Sequence, residues 1–207
     1  MSSFLATDTH LYEYLTPSGR QGHAILARVP VADSPTTAEL EGPEREFWRA
    51  KLDDESAYTA LAAGDFEEAT FLITHALATF RAYAAAAGAD ATFRVLRGTL
   101  HLATAYACRG LAQPLRLPYT VLRSESDGPD LRHARERIDE VISALAGAPR
   151  HQGALKRQAL LLASRFAASG DEGQAFADAA LELSRYPYQR AQALAARAAA
   201  KLRRTDL

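Results

Sequence analysis

The chain has 207 residues, of which 48% are hydrophobic and 24% charged, the range of a globular protein and not of a disordered one. A formal net charge of −1 excludes a bulk field for nucleic acid or an anionic membrane. The single cysteine, Cys108, excludes an internal disulfide and leaves too few thiolates for a cysteine zinc site.

Residues 1–34 differ in composition from the rest. Leu11 to Thr16 is rich in strand-favouring residues, and Pro17 to Gly22 carries turn chemistry. Ile25, Ala27, Val29 and Val31 then recur at period two. The expectation is a short N-terminal β-hairpin, with a helix at Leu5–Leu15 followed by an extended arm as the alternative. No basic region followed by an apolar run opens the chain, so no signal peptide is expected. No apolar run approaches the roughly 20 residues that span a bilayer, so no membrane partner is expected and a cytoplasmic location is. Heavy use of Ala and Arg with few Lys points to a GC-rich bacterial genome.

Helix is expected from residue 35 onward. Thr36 with Glu39 fits a capping box, and Pro43 fits the first turn of a further piece carrying Phe47, Trp48, Leu52 and Ala57. Gly64 ends that helix. Asp65, with Glu68 three residues on, caps the next, whose face is Phe66, Ala69, Ile73, Ala76, Leu77, Phe80 and Ala84. A third helix covers about 91–109, with Phe93, Leu96, Leu100, Ala103 and Ala107 on one face, and Gly110 closes it. An irregular, proline-bearing insertion follows at about 112–129. Helix resumes at Asp130 with Leu131, Ala134, Ile138, Val141, Ile142 and Leu145, and Gly147-Ala148-Pro149 stops it. A fifth helix carries Leu155, Ala159, Leu162, Ala163 and Phe166. Gly170-Asp171 with Gln174 repeats the Gly-Asp junction and opens a sixth. The last runs from about Tyr188 to Arg203. Two domains are therefore read: an arm, 1–34, and a helical domain of about seven helices, 35–207.

The glycines define a repeat. Leu102-Ala103, Tyr106 and Gly110 match Leu162-Ala163, Phe166 and Gly170 in spacing, and Gly64 is followed by the best second half, Ala69, Ile73, Ala76 and Leu77. This pattern resembles the tetratricopeptide repeat (TPR), in which antiparallel helix pairs cross at small residues and turn at Gly-Asp or Gly-Asn. The resemblance covers roughly residues 43–204. It implies an all-α fold in which helix hairpins stack as a right-handed superhelix. The glycines stand 46 and 60 residues apart (64 to 110, 110 to 170), farther than the roughly 34 of the family, so the array is a divergent one.

The resemblance also implies a groove lined by the first helix of each pair. Thirteen residues before the three glycines stand Lys51, Arg97 and Arg157, and six before them Tyr58, Thr104 and Ser164. Cations beside hydroxyls would suit a carboxylate, an acidic peptide or a phosphate. The family's carboxylate clamp needs asparagines, and this chain has Tyr58 and His101 instead. The bland alternative is a solvated basic row. The last helix offers a second basic set, Arg190, Arg197, Lys201, Arg203 and Arg204, read either as a phosphate-binding patch or as cations favoured at a helix C-terminus.

No two of the six histidines stand three or four residues apart, so no helical metal pair is expected, nor any cofactor. No phosphate-binding glycine loop, G-x-S-x-G or H-E-x-x-H occurs. The expectation is a non-catalytic scaffold that binds a peptide segment of a partner protein. The alternatives are a nucleic-acid-associated protein using the basic last helix, and self-assembly through the N-terminal arm.

Overall fold

The computed structural model describes residues 2–6, 10–15, 24–30, 42–87, 89–112, 128–147 and 153–205. Three short strands, β1 (Ser2–Ala6), β2 (His10–Leu15) and β3 (Ala24–Pro30), pair antiparallel in the order β1-β2-β3. The register of β2 against β3 shifts between Glu13 and Tyr14. From Gly42 on, the described chain is built of seven helices: α1 (Gly42–Ala63), α2 (Phe66–Ala87), α3 (Ala89–Leu111), α4 (Pro129–Ala144), α5 (Gly153–Phe166), α6 (Gly170–Glu182) and α7 (Pro187–Thr205). The Thr36–Glu39 cap, and the bulk of the expected insertion at 113–127, lie outside the described residues. The chain divides into two compact units, Met1–Gly98 and Thr99–Leu207, and the division falls inside α3, not after the N-terminal arm.

The first unit is ordered around the α1–α2 hairpin. Gly64 stands at φ +85°, the left-handed region that a glycine enters without Cβ penalty. There its amide donates to Leu61 O at 3.2 Å and the Asp65 amide donates to Ala60 O at 2.9 Å, the paired bonds that close a helix through a left-handed residue. Asp65 at once opens α2, its Oδ1 accepting from the Glu68 amide at 3.1 Å. Two helices thus turn back on each other over two residues. Their seam is Phe47, Ala50, Ala57 and Leu61 against Ala69, Ile73, Ala76, Leu77 and Phe80, all buried. Phe47 meets Phe80 edge-on with centroids 5.5 Å apart and stacks on Tyr83 at 4.4 Å. The start of α3 joins this core through Val95.

The second unit is layered around α5. Leu155, Ala159, Leu160, Leu161, Leu162, Ala163 and Phe166 are all buried, so the last two turns of α5 are covered on every side, while Ala154 and Gln158 in its first half are exposed. It packs on α4 before it, on α6 after it, and on α7 two helices along. Small residues set those distances: Ala177 and Ala180 of α6 and Ala193 and Ala196 of α7 close on Leu160 and Leu161. Alanines permit close approach where larger side chains would hold the axes apart. α4 lays Leu131, Ala134, Ile138 and Val141 inward, the stripe expected from its sequence.

Two junctions differ from the sequence reading. Gly110 does not end α3. It lies within that helix, and a Cβ there would stand 3.1 Å from both Asp130 Cβ and Leu131 Cγ. Its function is close helix approach, and the left-handed turn falls to Ala112 at φ +50°. Gly170 is likewise the first residue of α6 and not its preceding turn. The cap is Ser169, whose side chain accepts from the Glu172 amide at 3.1 Å, while Glu172 Oε2 accepts from Ala168 N at 2.8 Å. The Ser-x-x-Glu pair outcompetes Asp171 with Gln174 because it satisfies two backbone donors reciprocally. Of the three aligned glycines, Gly64 alone forms the turn.

Candidate functional site

The residues chosen by offset are largely drawn inward. Lys51 is buried, its ammonium 4.4 Å above the Trp48 ring and 4.6 Å from that of Phe47. Arg97 donates from Nη2 to Glu55 Oε1 at 2.7 Å and lies 3.9 Å from Asp54 Oδ2. Burial pushes its pKa down, but Asp54 and Glu55 more than offset this and raise it. The neighbouring Arg94, desolvated and facing Arg97, is lowered to about 10. Tyr58 is exposed. These are contacts inside the first unit, so the acidic side chains that an external ligand would supply are already provided by α1.

In the second unit His101 and Ser164 are buried, and Thr104 is half-buried. Ser164 donates to Leu161 O at 2.9 Å and Thr104 to Leu100 O at 3.0 Å, so both hydroxyls serve their own helices. Arg157 is 6% exposed. Its Nη1 donates to Gln192 Oε1 at 3.0 Å, Nε finds no hydrogen-bond partner, and desolvation lowers its pKa. The family-derived set requires solvent-facing positions, and Lys51, His101, Arg157 and Ser164 do not occupy them. A packed helical core takes long side chains inward wherever the helix is covered on more than one side, which offset counting does not reveal.

A concavity among the described residues lies elsewhere. A cavity of about 350 Å³ opens between α4, the end of α5 and the start of α6. On α4, Arg135, Ile138 and Asp139 stand three and four residues apart and so share a face. α5 contributes Ala163 and Phe166 in its last turn, Ala167 and Ala168 form the link, and α6 adds Glu172 and Phe176, again four apart. The size is that of a small ligand site, at the lower end of the usual ~300–1,000 Å³. Burial and the nearby Glu172 both push the Asp139 carboxyl upward. Glu172 is fixed in place by its bond to Ala168 N. The result is an apolar floor of Ile138, Phe166 and Phe176 with two mutually repelling carboxylates and the Arg135 guanidinium around it.

The sequence marks none of these residues as a site: Ile138, Ala163 and Phe166 stand out there only as helix-face or repeat positions. The Ser169–Glu172 capping pair was the one legible signal. It fixes where α6 begins and hence which way Glu172 and Phe176 face. The second basic set does lie on one helix, α7. There Arg190 and Lys201 are exposed, and Arg197 Nε stands 3.2 Å from Asp178 Oδ1 of α6. Arg203 and Arg204 continue the same helix backbone. Among the described residues no His, Cys, Asp and Glu group is placed to hold a metal ion, and no helix is long and apolar enough to cross a membrane. No protein-family model, no curated protein and no solved structure matches the chain.

Proposed function

We propose that the chain is a non-catalytic scaffold whose second unit holds a peptide segment of a partner protein. The observation that carries this reading is the cavity between α4, α5 and α6. Its floor is apolar, and its carboxylates stand on two separate helices. Glu172 already gives one oxygen to the backbone, a structural use of the group. Such a site suits a side chain with an aliphatic stem and a basic end, the stem against Phe166 and Phe176 and the cation between Asp139 and Glu172. The preferred segment is therefore basic at this position, not acidic as the cation ladder implied.

Within the second unit, the packing order supports a TPR-like stacking of helix hairpins. α5 touches the helices one before, one after and two after it, as the first helix of a hairpin does in a stacked array. Selection of a random peptide library on the full chain tests the function. Enriched peptides are expected to carry Arg or Lys beside an apolar residue and to lose binding to Asp139→Lys. Binders indifferent to that substitution would remove the cavity from the reading.

A further inference from the structure

The last helix has an outer face that the cavity does not use. Leu194 is 49% exposed and Leu202 59% exposed, and Ala191 and Ala198 are exposed as well. At 100° per residue Ala191, Leu194, Ala198 and Leu202 fall on one stripe, opposite the buried Ala193, Ala196 and Ala200. The stripe alternates small and large residues over three turns, the relief into which another helix packs. It also has a charged edge. Arg190 and Arg197 each stand one residue before an alanine of the stripe and Lys201 one before Leu202, while no acidic residue occurs from Arg185 to Arg204. Arg190 and Lys201 pair with no carboxylate among the described residues, and Arg197 is held at the edge by Asp178. In heptad terms Ala191, Leu194 and Ala198 are a, d and a, with Arg190 and Arg197 at the flanking g positions that select a partner by charge; the step of four from Ala198 to Leu202 then follows the straight-helix period and leaves the heptad register.

We propose that the outer face of α7 docks an acidic amphipathic helix of a partner protein, with leucines seated over Ala191 and Ala198 and glutamates along the Arg190–Arg197–Lys201 edge. This surface is separate from the cavity and does not depend on it. Charge complementarity selects the occupant. A second α7 would set one cationic edge against another, which disfavours a homotypic pair. A phosphate chain would meet the cations but leave the leucine stripe in water, and a lipid surface would find only two leucines on the stripe.

The test uses the full chain and a labelled three-heptad peptide with Leu at a and d and Glu at e and g, followed by fluorescence anisotropy. The same peptide with Lys for Glu, a single-stranded oligonucleotide and vesicles containing phosphatidylserine are the comparison probes. The acidic peptide is expected to bind, to weaken with added salt, and to weaken about ten-fold with Leu194→Asp and several-fold with Arg190→Glu. The lysine peptide is expected not to bind. Both side chains are exposed, so circular dichroism of the variants should match the parent, and Leu194→Ala provides a milder version should Asp perturb the helix. The proposal is overturned if the acidic peptide does not bind, if both peptides bind alike, or if Leu194→Asp and Leu194→Ala leave affinity unchanged. It is also overturned if the oligonucleotide, the vesicles or a second copy of the chain, seen as a dimer by light scattering, occupies the face in its place.

Discussion

Replacing Gly64 by Ala isolates one term of the α1–α2 hairpin. Nothing lies within 4 Å of a Cβ built at Gly64, so the substitution adds no clash. What remains is the backbone at φ +85°. An L-residue in the left-handed region costs roughly 1–2 kcal/mol, and the stiffer unfolded chain of the alanine variant returns part of it, leaving a net loss of about 1 kcal/mol. With m for urea of about 1–3 kcal/mol/M, the unfolding midpoint should fall by roughly 0.3–1 M at unchanged m. The assay is available within the chain, because its one tryptophan, Trp48, sits on α1 and its fluorescence reports this unit. Gly64→Asn should lose less, since Asn tolerates the left-handed region. Asp65→Ala should lose about 1 kcal/mol through the cap. An alanine variant as stable as the parent, or Ala and Asn variants that fall together, would refute the left-handed turn as the element that joins α1 to α2.

Gly110→Ala should destabilise despite a helix-propensity gain of up to about 1 kcal/mol, because overpacking against Asp130 and Leu131 costs about 1–3 kcal/mol; a higher thermal midpoint would contradict the close approach. Arg109 donates to both oxygens of Asp130, at 2.8 and 2.7 Å. That hydrogen bonding, aided by the charges of Arg109 and His133, holds the Asp130 carboxyl below its usual 3.8. A depressed carboxyl stabilises above its unfolded pKa and loses the contribution as pH falls, so the deficit of Asp130→Asn, about 1 kcal/mol at pH 7, should close below about pH 4 in urea titrations. Asp139 has the opposite sign. Its carboxyl is pushed upward, so its charge is a penalty that sets in as pH rises past the unfolded value. Asp139→Asn should then raise the midpoint at pH 7 by on the order of a few tenths of a kcal/mol, a gain that vanishes in acid. Arg157→Met should be neutral or stabilising by calorimetry, since it replaces a buried cation that has no carboxylate partner among the described residues; a loss of several kcal/mol would restore a requirement for its charge.

Helix existence was legible in the sequence because each amphipathic stripe is a local property, repeated every three or four residues. Ala69 to Phe80 and Leu131 to Val141 are buried on the faces that their spacing marks. The Gly64-Asp65 junction was also legible, since its bonds run between residues at most five apart. The equivalence of Gly64, Gly110 and Gly170 was not. A glycine serves as a left-handed stop or as a gap for a neighbouring helix, and sequence spacing is the same for both. The site was less legible still. Lys51, Arg97 and Arg157 have the offsets of a groove, yet whether a long cation points outward or folds over Trp48, onto Glu55 or against Gln192 depends on what faces it from another helix. The cavity joins Asp139 to Glu172 across 33 positions of sequence, from 139 to 172, with a whole helix between them. Local chemistry alone therefore determined the helices, the α1–α2 turn and the cationic edge of α7. The tertiary structure decided which glycines turn and which pack, which cations are taken inward, and where two carboxylates share one cavity, because each of these is set by a contact between elements far apart in the chain.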